Sequence, residues 1–154
     1  MTASFLAETP FATISADLAE ILDFGPTPYG RRRVIHITGG TVRGPRLSGT
    51  ILNGGADWQI GRTDGTADIH ARYTFVTDDG SPVLVDSRGL RHGPADVLEA
   101  LARGETVDPA RYFFRTLVRF ETGAPAFDWL NRTMAIGVGK RLPRGVEIDL
   151  HEVL

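Results

Sequence analysis

The stretch Gly44-Pro45-Arg46-Leu47-Ser48-Gly49-Thr50-Ile51-Leu52-Asn53-Gly54-Gly55-Ala56-Asp57-Trp58-Gln59, with its continuation Asp64-Gly65-Thr66-Ala67-Asp68-Ile69-His70-Ala71-Arg72-Tyr73, decides the fold. Glycine-bearing turns alternate here with short runs of apolar and β-branched residues, the pattern of strands joined by tight connections. Strand side chains alternate between two faces, so Ala67–Val76 separates into an apolar row, Ala67, Ile69, Ala71, Tyr73 and Phe75, and a polar row, Asp68, His70, Arg72 and Thr74.

The same punctuation runs through the whole chain. Eighteen glycines and nine prolines divide 154 residues into short segments, which is the signature of an antiparallel sandwich or barrel. Strands are expected at about 10–22, 31–38, 40–43, 46–53, 57–62, 66–77, 82–92, 111–121, 131–141 and 145–153, and Thr77-Asp78-Asp79-Gly80-Ser81 and Thr63-Asp64-Gly65 carry hairpin-turn chemistry. One helix is expected at 94–103, with Pro94 near its start and Gly104 as its stop, serving as a plug or lid over a barrel end or as a crossover connection. The expected fold is all-β, a single-domain antiparallel β-barrel of eight to ten strands with one short helix, the domain running over residues 1–154.

Seventeen basic residues against nineteen acidic ones, a formal charge of −2, give no field that would gather nucleic acid or an anionic membrane. The Arg31-Arg32-Arg33 cluster reads as a solvated strand start. With no cysteine, thiolate nucleophiles, disulfides and cysteine-ligated metals are excluded. The N-terminal residues lack a basic start and a sustained apolar run, and no window reaches membrane-spanning length, so a cytoplasmic protein is expected.

Polar rows recur on other strands. Asp86 and Arg88 share a face, and Arg115, Arg119 and Glu121 lie opposite Tyr112, Phe114, Val118 and Phe120. These rows face either solvent or the lumen. The chain has a single lysine, Lys140, and its strands use arginine, whose planar fork suits fixed pairing with carboxylates. That choice tilts the reading toward a lumen of Arg–Asp and Arg–Glu pairs, with Arg72 and Arg88 substantially buried.

Several separated segments carry a resemblance: Gly44–Trp58, Asp64–Tyr73, Arg88-Gly89-Leu90-Arg91-His92-Gly93-Pro94, Tyr112–Thr116, Phe120-Glu121-Thr122-Gly123 and Trp129-Leu130-Asn131. Together they resemble an uncharacterised family of small bacterial and fungal proteins known as a domain of unknown function. The resemblance runs from about residue 10 to the C-terminus; it implies a single-domain antiparallel β-barrel and brings no settled activity. The matching positions are Gly54, Gly55, Asp57, Trp58, Arg72, Tyr73, Arg88, Gly89, Phe120, Glu121, Trp129 and Asn131. An acidic residue is common in that family near the position of His70, so a role for His70 would be particular to this chain.

The candidate catalytic groups are Asp57, His70 and Glu121, each able to move a proton if its surroundings set the pKa suitably. The structural alternatives are a turn cap for Asp57, a satisfied hydrogen-bonding histidine at His70 and an ion pair with Arg115 or Arg119 for Glu121. Arg72 and Arg88 are candidates to stabilise a developing enolate or carboxylate, and Trp58, Trp129 and Asn131 to line the ligand. His36, His70, His92 and His151 show no close metal-ligand spacing, and no nucleotide-binding loop or Gly-x-Ser-x-Gly elbow is present, so neither metal nor cofactor is expected. The expectation is a small-molecule-binding barrel performing cofactor-independent acid–base chemistry, such as isomerisation, hydration, dehydration or cyclisation of a moderately apolar oxygenated metabolite. A non-catalytic carrier or sensor and a structural or interaction module are the alternatives. Short barrel edges and the apolar C-terminal strand point to a homodimer.

Overall fold

The computed structural model describes residues 4–154. Ten strands follow one another as β1 (Ala12–Leu18), β2 (Leu22–Thr27), β3 (Gly30–Arg43), β4 (Gly49–Ile51), β5 (Gly55–Gly61), β6 (Ala67–Thr77), β7 (Pro82–His92), β8 (Phe113–Glu121), β9 (Met134–Leu142) and β10 (Gly145–Glu152). Every pairing between them is antiparallel, as the resemblance and the turn spacing imply.

The sheet closes on itself. Strands β6 to β10 pair in sequence order, β10 pairs β1, β1 pairs β3, and β4 and β5 bridge β3 back to β6. Strand β2 is a hairpin arm outside that circuit, paired only with β3. Closure removes the unpaired edges along the circuit.

Strand β3 is continuous where the sequence suggested a break between 38 and 40. Its first half pairs β5 and β2, and its second half pairs β4 and β1, so it must bend where it changes partners. Gly40 sits at that bend with φ +133°, a conformation that L side chains rarely adopt, and any Cβ there would collide with the Ser15 carbonyl. Thus the glycines that look like a turn in one dimension are a close approach in three.

Alternation places apolar side chains inside. On β8 the even-numbered residues Phe114, Thr116, Val118 and Phe120 are buried while their odd-numbered neighbours are exposed, and β6 buries Ile69, Tyr73 and Phe75. One end of the barrel is filled by a large cluster including Phe11, Leu47, Phe75, Phe120 and Leu130, with Trp129 packed against it. The opposite end carries helix α1 (Ala95–Ala102), whose Val97 and Leu101 pack with Ile69, Val107, Tyr112 and Phe114. Helix α1 is the connection from β7 to β8 at this end. A short 3₁₀ segment, Pro125–Arg132, occupies the chain before β9, so that strand begins three residues later than the apolar pattern suggests.

Candidate functional site

The polar rows of β6, β7 and β8 face outward. Asp86 meets three neighbours on this outer surface, hydrogen-bonded to His70 Nε2 at 3.3 Å and Arg88 Nε at 3.2 Å and ion-paired with Arg72 Nε at 3.5 Å. The expectation that Arg72 and Arg88 are buried is corrected: their side chains are 52% and 66% exposed. The apolar row of β6 had to be buried, and in a strand that sends the polar row to solvent. Partial burial pulls Asp86 upward, but hydrogen bonds from His70 and Arg88 and the charge of Arg88 outweigh it, and the carboxyl sits below its ordinary value.

The remaining sequence candidates are dispersed. Glu121 is exposed at the end of β8, and among the described residues it makes no ion pair with Arg115 or Arg119. Trp58 lies half-exposed on the outside of β5, its carbonyl accepting from Arg32 Nη1 at 2.7 Å. Trp129 packs edge-on against Phe11 at 5.8 Å and under the Arg46 guanidinium at 4.0 Å, at the filled end. Asn131 clasps Thr122, accepting from its N–H at 2.8 Å and donating to its carbonyl at 2.9 Å.

Asp57 alone of these points inward. It shares the inner face of β5 with Gln59, and its carboxylate is built into the wall. The β5–β6 pairing runs through Asp57 opposite Ala71 and resumes at Ile60 opposite Asp68. In that interval the His70 backbone N–H donates to Asp57 Oδ1 at 3.0 Å, while Gln59 Nε2 donates to Oδ2 at 3.0 Å. The carboxylate therefore bonds across to the next strand; it does not cap the Gly54-Gly55 turn. Burial pushes its pKa up, and the two hydrogen bonds and the charge of Arg91 offset that only in part.

Around Asp57 is a small inner cavity of about 40 Å³, lined among others by Ile35, Ile69, Tyr73, Ser87, Phe114 and Thr116, with Arg91 and Arg141 on its wall. The depressions on the outer face are larger, about 460 Å³ along Asp86 and Arg119, but they are open surface grooves. The inner cavity is where polar groups converge. Gln59 Oε1, Ser87 Oγ and Thr116 Oγ1 are buried there without a hydrogen-bond partner, an uncommon condition for native polar atoms. Tyr73 is buried beside them, and burial pushes its phenol up, so it stays a protonated donor at neutral pH.

Three arginines gather at this end. Burial, together with the nearby charges of Arg141 and Arg33, pushes Arg91 down to about 10, and burial and Arg33 lower Arg141, while Asp57 opposes the shift in both. Arg33 on β3 is paired directly opposite Gln59, and its side chain is half-buried along an open groove shared with Arg31 and Arg62. The triple-arginine cluster fits its solvated reading: Arg31 pairs with Asp23 at 2.8 Å on the surface, and Arg32 and Arg33 are half-buried. None of Arg33, Arg91 and Arg141 makes a salt bridge to any carboxylate of the described residues. Among those residues, no three His, Asp or Glu side chains come together as metal ligands.

Gln59, Ser87, Arg91, Thr116 and Arg141 were not singled out in the sequence. A signal was there. Arg91 has the parity of Val83, Val85 and Ser87 on β7, and Arg141 that of Ala135, Gly137 and Gly139 on β9, so once the apolar rows are assigned to the interior these arginines must follow at the strand ends.

A family model matches residues 7–153, the family described as protein of unknown function DUF3237. The chain belongs to this family. It is 44% identical over 142 residues to the UPF0311 protein RPA1785 of Rhodopseudomonas palustris, covering 92% of this chain and 93% of the relative. The crystal structure of RPA1785, described as a conserved protein of unknown function, superposes with a TM-score of 0.92 at 42% identity over the full length of both chains. A β-barrel-like protein of Acinetobacter baumannii gives a TM-score of 0.83 at 42% identity, covering 98% of each chain. More distantly, the chain is 28% identical over 107 residues to a hydroalkoxylation enzyme of Penicillium herquei, covering 69% of this chain and 56% of that one. An enzyme structure from the same fungus shares the fold, with a TM-score of 0.69 at 18% identity over 97% of this chain and 98% of that one. No helix among the described residues is long and apolar enough to cross a membrane.

Proposed function

We propose that this member of the DUF3237 family is a cofactor-independent acid–base enzyme acting on a moderately apolar, oxygenated small molecule, with Asp57 as the group that moves the proton. The observation that carries this reading is the Asp57 carboxyl: inside the barrel, fixed by His70 N–H and Gln59, and raised in pKa by burial. A carboxyl held in one orientation and shifted toward neutrality can both give and recover a proton.

The reaction class is isomerisation, hydration, dehydration or cyclisation. The Penicillium herquei relative is named a hydroalkoxylation enzyme, and hydroalkoxylation belongs to the same class. It adds an O–H bond across a carbon–carbon multiple bond: one proton reaches carbon as another leaves oxygen, so a single carboxyl that donates and is reprotonated balances the step. The family resemblance of Gly54-Gly55-Ala56-Asp57 supports Asp57 as the shared group. His70, Arg72, Arg88 and Glu121, on the outer face, have no part in this chemistry, nor have Trp58, Trp129 and Asn131 as ligand walls. We place the protein in the cytoplasm and read the exposed Trp58, Leu117 and Met134 of the outer sheet as a homodimer contact.

The test is turnover in deuterated water with a panel of hydroxyl-bearing alkenes and unsaturated ketones, followed by NMR for isomerisation, ring closure or deuterium uptake. The native protein should act on at least one, and Asp57→Asn, which keeps the shape, should lower that rate by about 100-fold or more. Full activity in Asp57→Asn on a confirmed substrate would remove the assignment. Tight binding with no turnover of any panel member would favour the carrier reading.

A further inference from the structure

We propose that the Arg33, Arg91 and Arg141 end of the barrel is an oxyanion site, so that the ligand is a small monoanion, its charge shared over oxygen as in a carboxylate or phenolate, carried on an apolar body. The inference rests on the inner cavity being the functional site, and it names the substrate class.

Charge balance is the first argument. Three guanidiniums and one carboxylate share this end, and the carboxylate is already engaged by His70 N–H and Gln59. None of the three arginines makes a salt bridge to a carboxylate among the described residues. Arg91 and Arg141 are half-buried, and a charge drawn partly out of water is stabilised by a counter-charge beside it. Other arginines among the described residues also lack an ion pair, but Arg91 and Arg141 are set apart by lining the inner cavity beside Asp57.

Chemistry and size narrow the ligand further. Guanidinium forks match the geometry of two oxygens sharing one charge. Asp57 beside them adds a negative charge that a dianion such as phosphate would have to oppose. The cavity is about 40 Å³, space for a few atoms, so what enters is the polar end of a molecule. Ser87 Oγ and Thr116 Oγ1, unpartnered on the same wall, can donate to that oxygen. Apolar Ile35, Ile37, Ile69, Phe114 and Val146 line the rest of this small space, so the carbon directly attached to the charged oxygens meets an apolar wall.

The probes are benzoate, its neutral isostere benzamide, and 4-nitrophenol, measured against the native protein, Arg91→Met and Arg141→Met. Removing an unpaired, half-buried charge should not harm folding, so both variants are expected to melt at or above the native temperature. In the native protein benzoate should bind at least about tenfold more tightly than benzamide, and the gap should fall below about threefold in either variant. Bound 4-nitrophenol should shift toward its coloured phenolate at constant pH in the native protein alone; a shift without benzoate binding would assign the site to phenolates, and the converse to carboxylates. Equal binding of benzoate and benzamide, no binding of either anion up to about 20 mM, or selectivity that survives both substitutions would overturn the proposal. Asp57→Asn separates this from the acid–base reading. It should bind benzoate as well or better, having lost a neighbouring negative charge, so anion binding without Asp57-dependent turnover would leave the oxyanion site standing and the enzyme reading refuted.

Discussion

Replacing Ser87 by Ala and Thr116 by Val should make this protein more stable and less functional. Ser87 and Thr116 are 2% and 3% exposed, and neither hydroxyl has a hydrogen-bond partner among the described residues. A buried hydroxyl without a partner costs about 1–3 kcal/mol of desolvation, whereas the apolar isostere costs nothing of the kind. Valine has the outline of threonine, and Gly137 opposite Thr116 leaves open the space that its γ-branch occupies. Ser87→Ala removes one atom and loses little packing. Taking the low end for each, the double variant gains about 2 kcal/mol. For a domain of this size that moves the urea midpoint up by about 1 M and the melting temperature up by about 4–8 °C. Urea unfolding with an unchanged slope is the assay, and ligand affinity should fall in the same variant. A midpoint that stays put or drops would show both hydroxyls already satisfied in the free protein, and the view that they are held in reserve for a ligand would fail.

Other substitutions test the remaining parts of the structure. Arg72→Ala and Arg88→Ala should each cost less than about 1 kcal/mol, because their pairs with Asp86 lie in solvent; a loss of several kcal/mol on chemical denaturation would place them back inside. Gly89→Ala should cost about 3 kcal/mol or more, since its Cβ would run into the Arg115 carbonyl and lie 2.6 Å from Thr116 Cα, while Gly123→Ala, with nothing near, should be close to neutral. Matching midpoints for the two would contradict the tight β7–β8 approach. Asp57→Asn should alter the pH dependence of stability in a definite sense. Because the folded carboxyl is raised above its ordinary 3.8, the stabilisation it brings is full below that value and lost as pH rises through the raised value. The native protein should therefore lose stability over that interval relative to Asp57→Asn, and parallel pH curves for the two would refute the shift.

The barrel itself was legible in the chain. Alternating apolar rows such as Ala67, Ile69, Ala71, Tyr73 and Phe75, with glycine and Asp-Gly turns between them, leave little choice but paired antiparallel strands, and the helix near 94–103 announced its ends with proline and glycine. Local geometry dictates these features, so local sequence suffices to find them. The two glycines of β3 misled for the same reason: Gly39-Gly40 looks locally like a turn, and only the carbonyl of Ser15, some two dozen residues away in sequence, explains why a side chain is forbidden there.

What the sequence could not decide is which face of each strand is the inside at the polar positions, and which inner residues meet. A strand has two faces and alternation says only that they differ; burial of the apolar row settles the choice, and it sent His70, Arg72, Arg88 and Asp86 to solvent while keeping Asp57 within. Arg33, Arg91 and Arg141 stand on three strands spread over more than a hundred residues, and each is unremarkable in its own segment. Barrel closure brings them to one mouth beside Asp57, because register and shear are properties of the whole ring of hydrogen bonds and of no single strand.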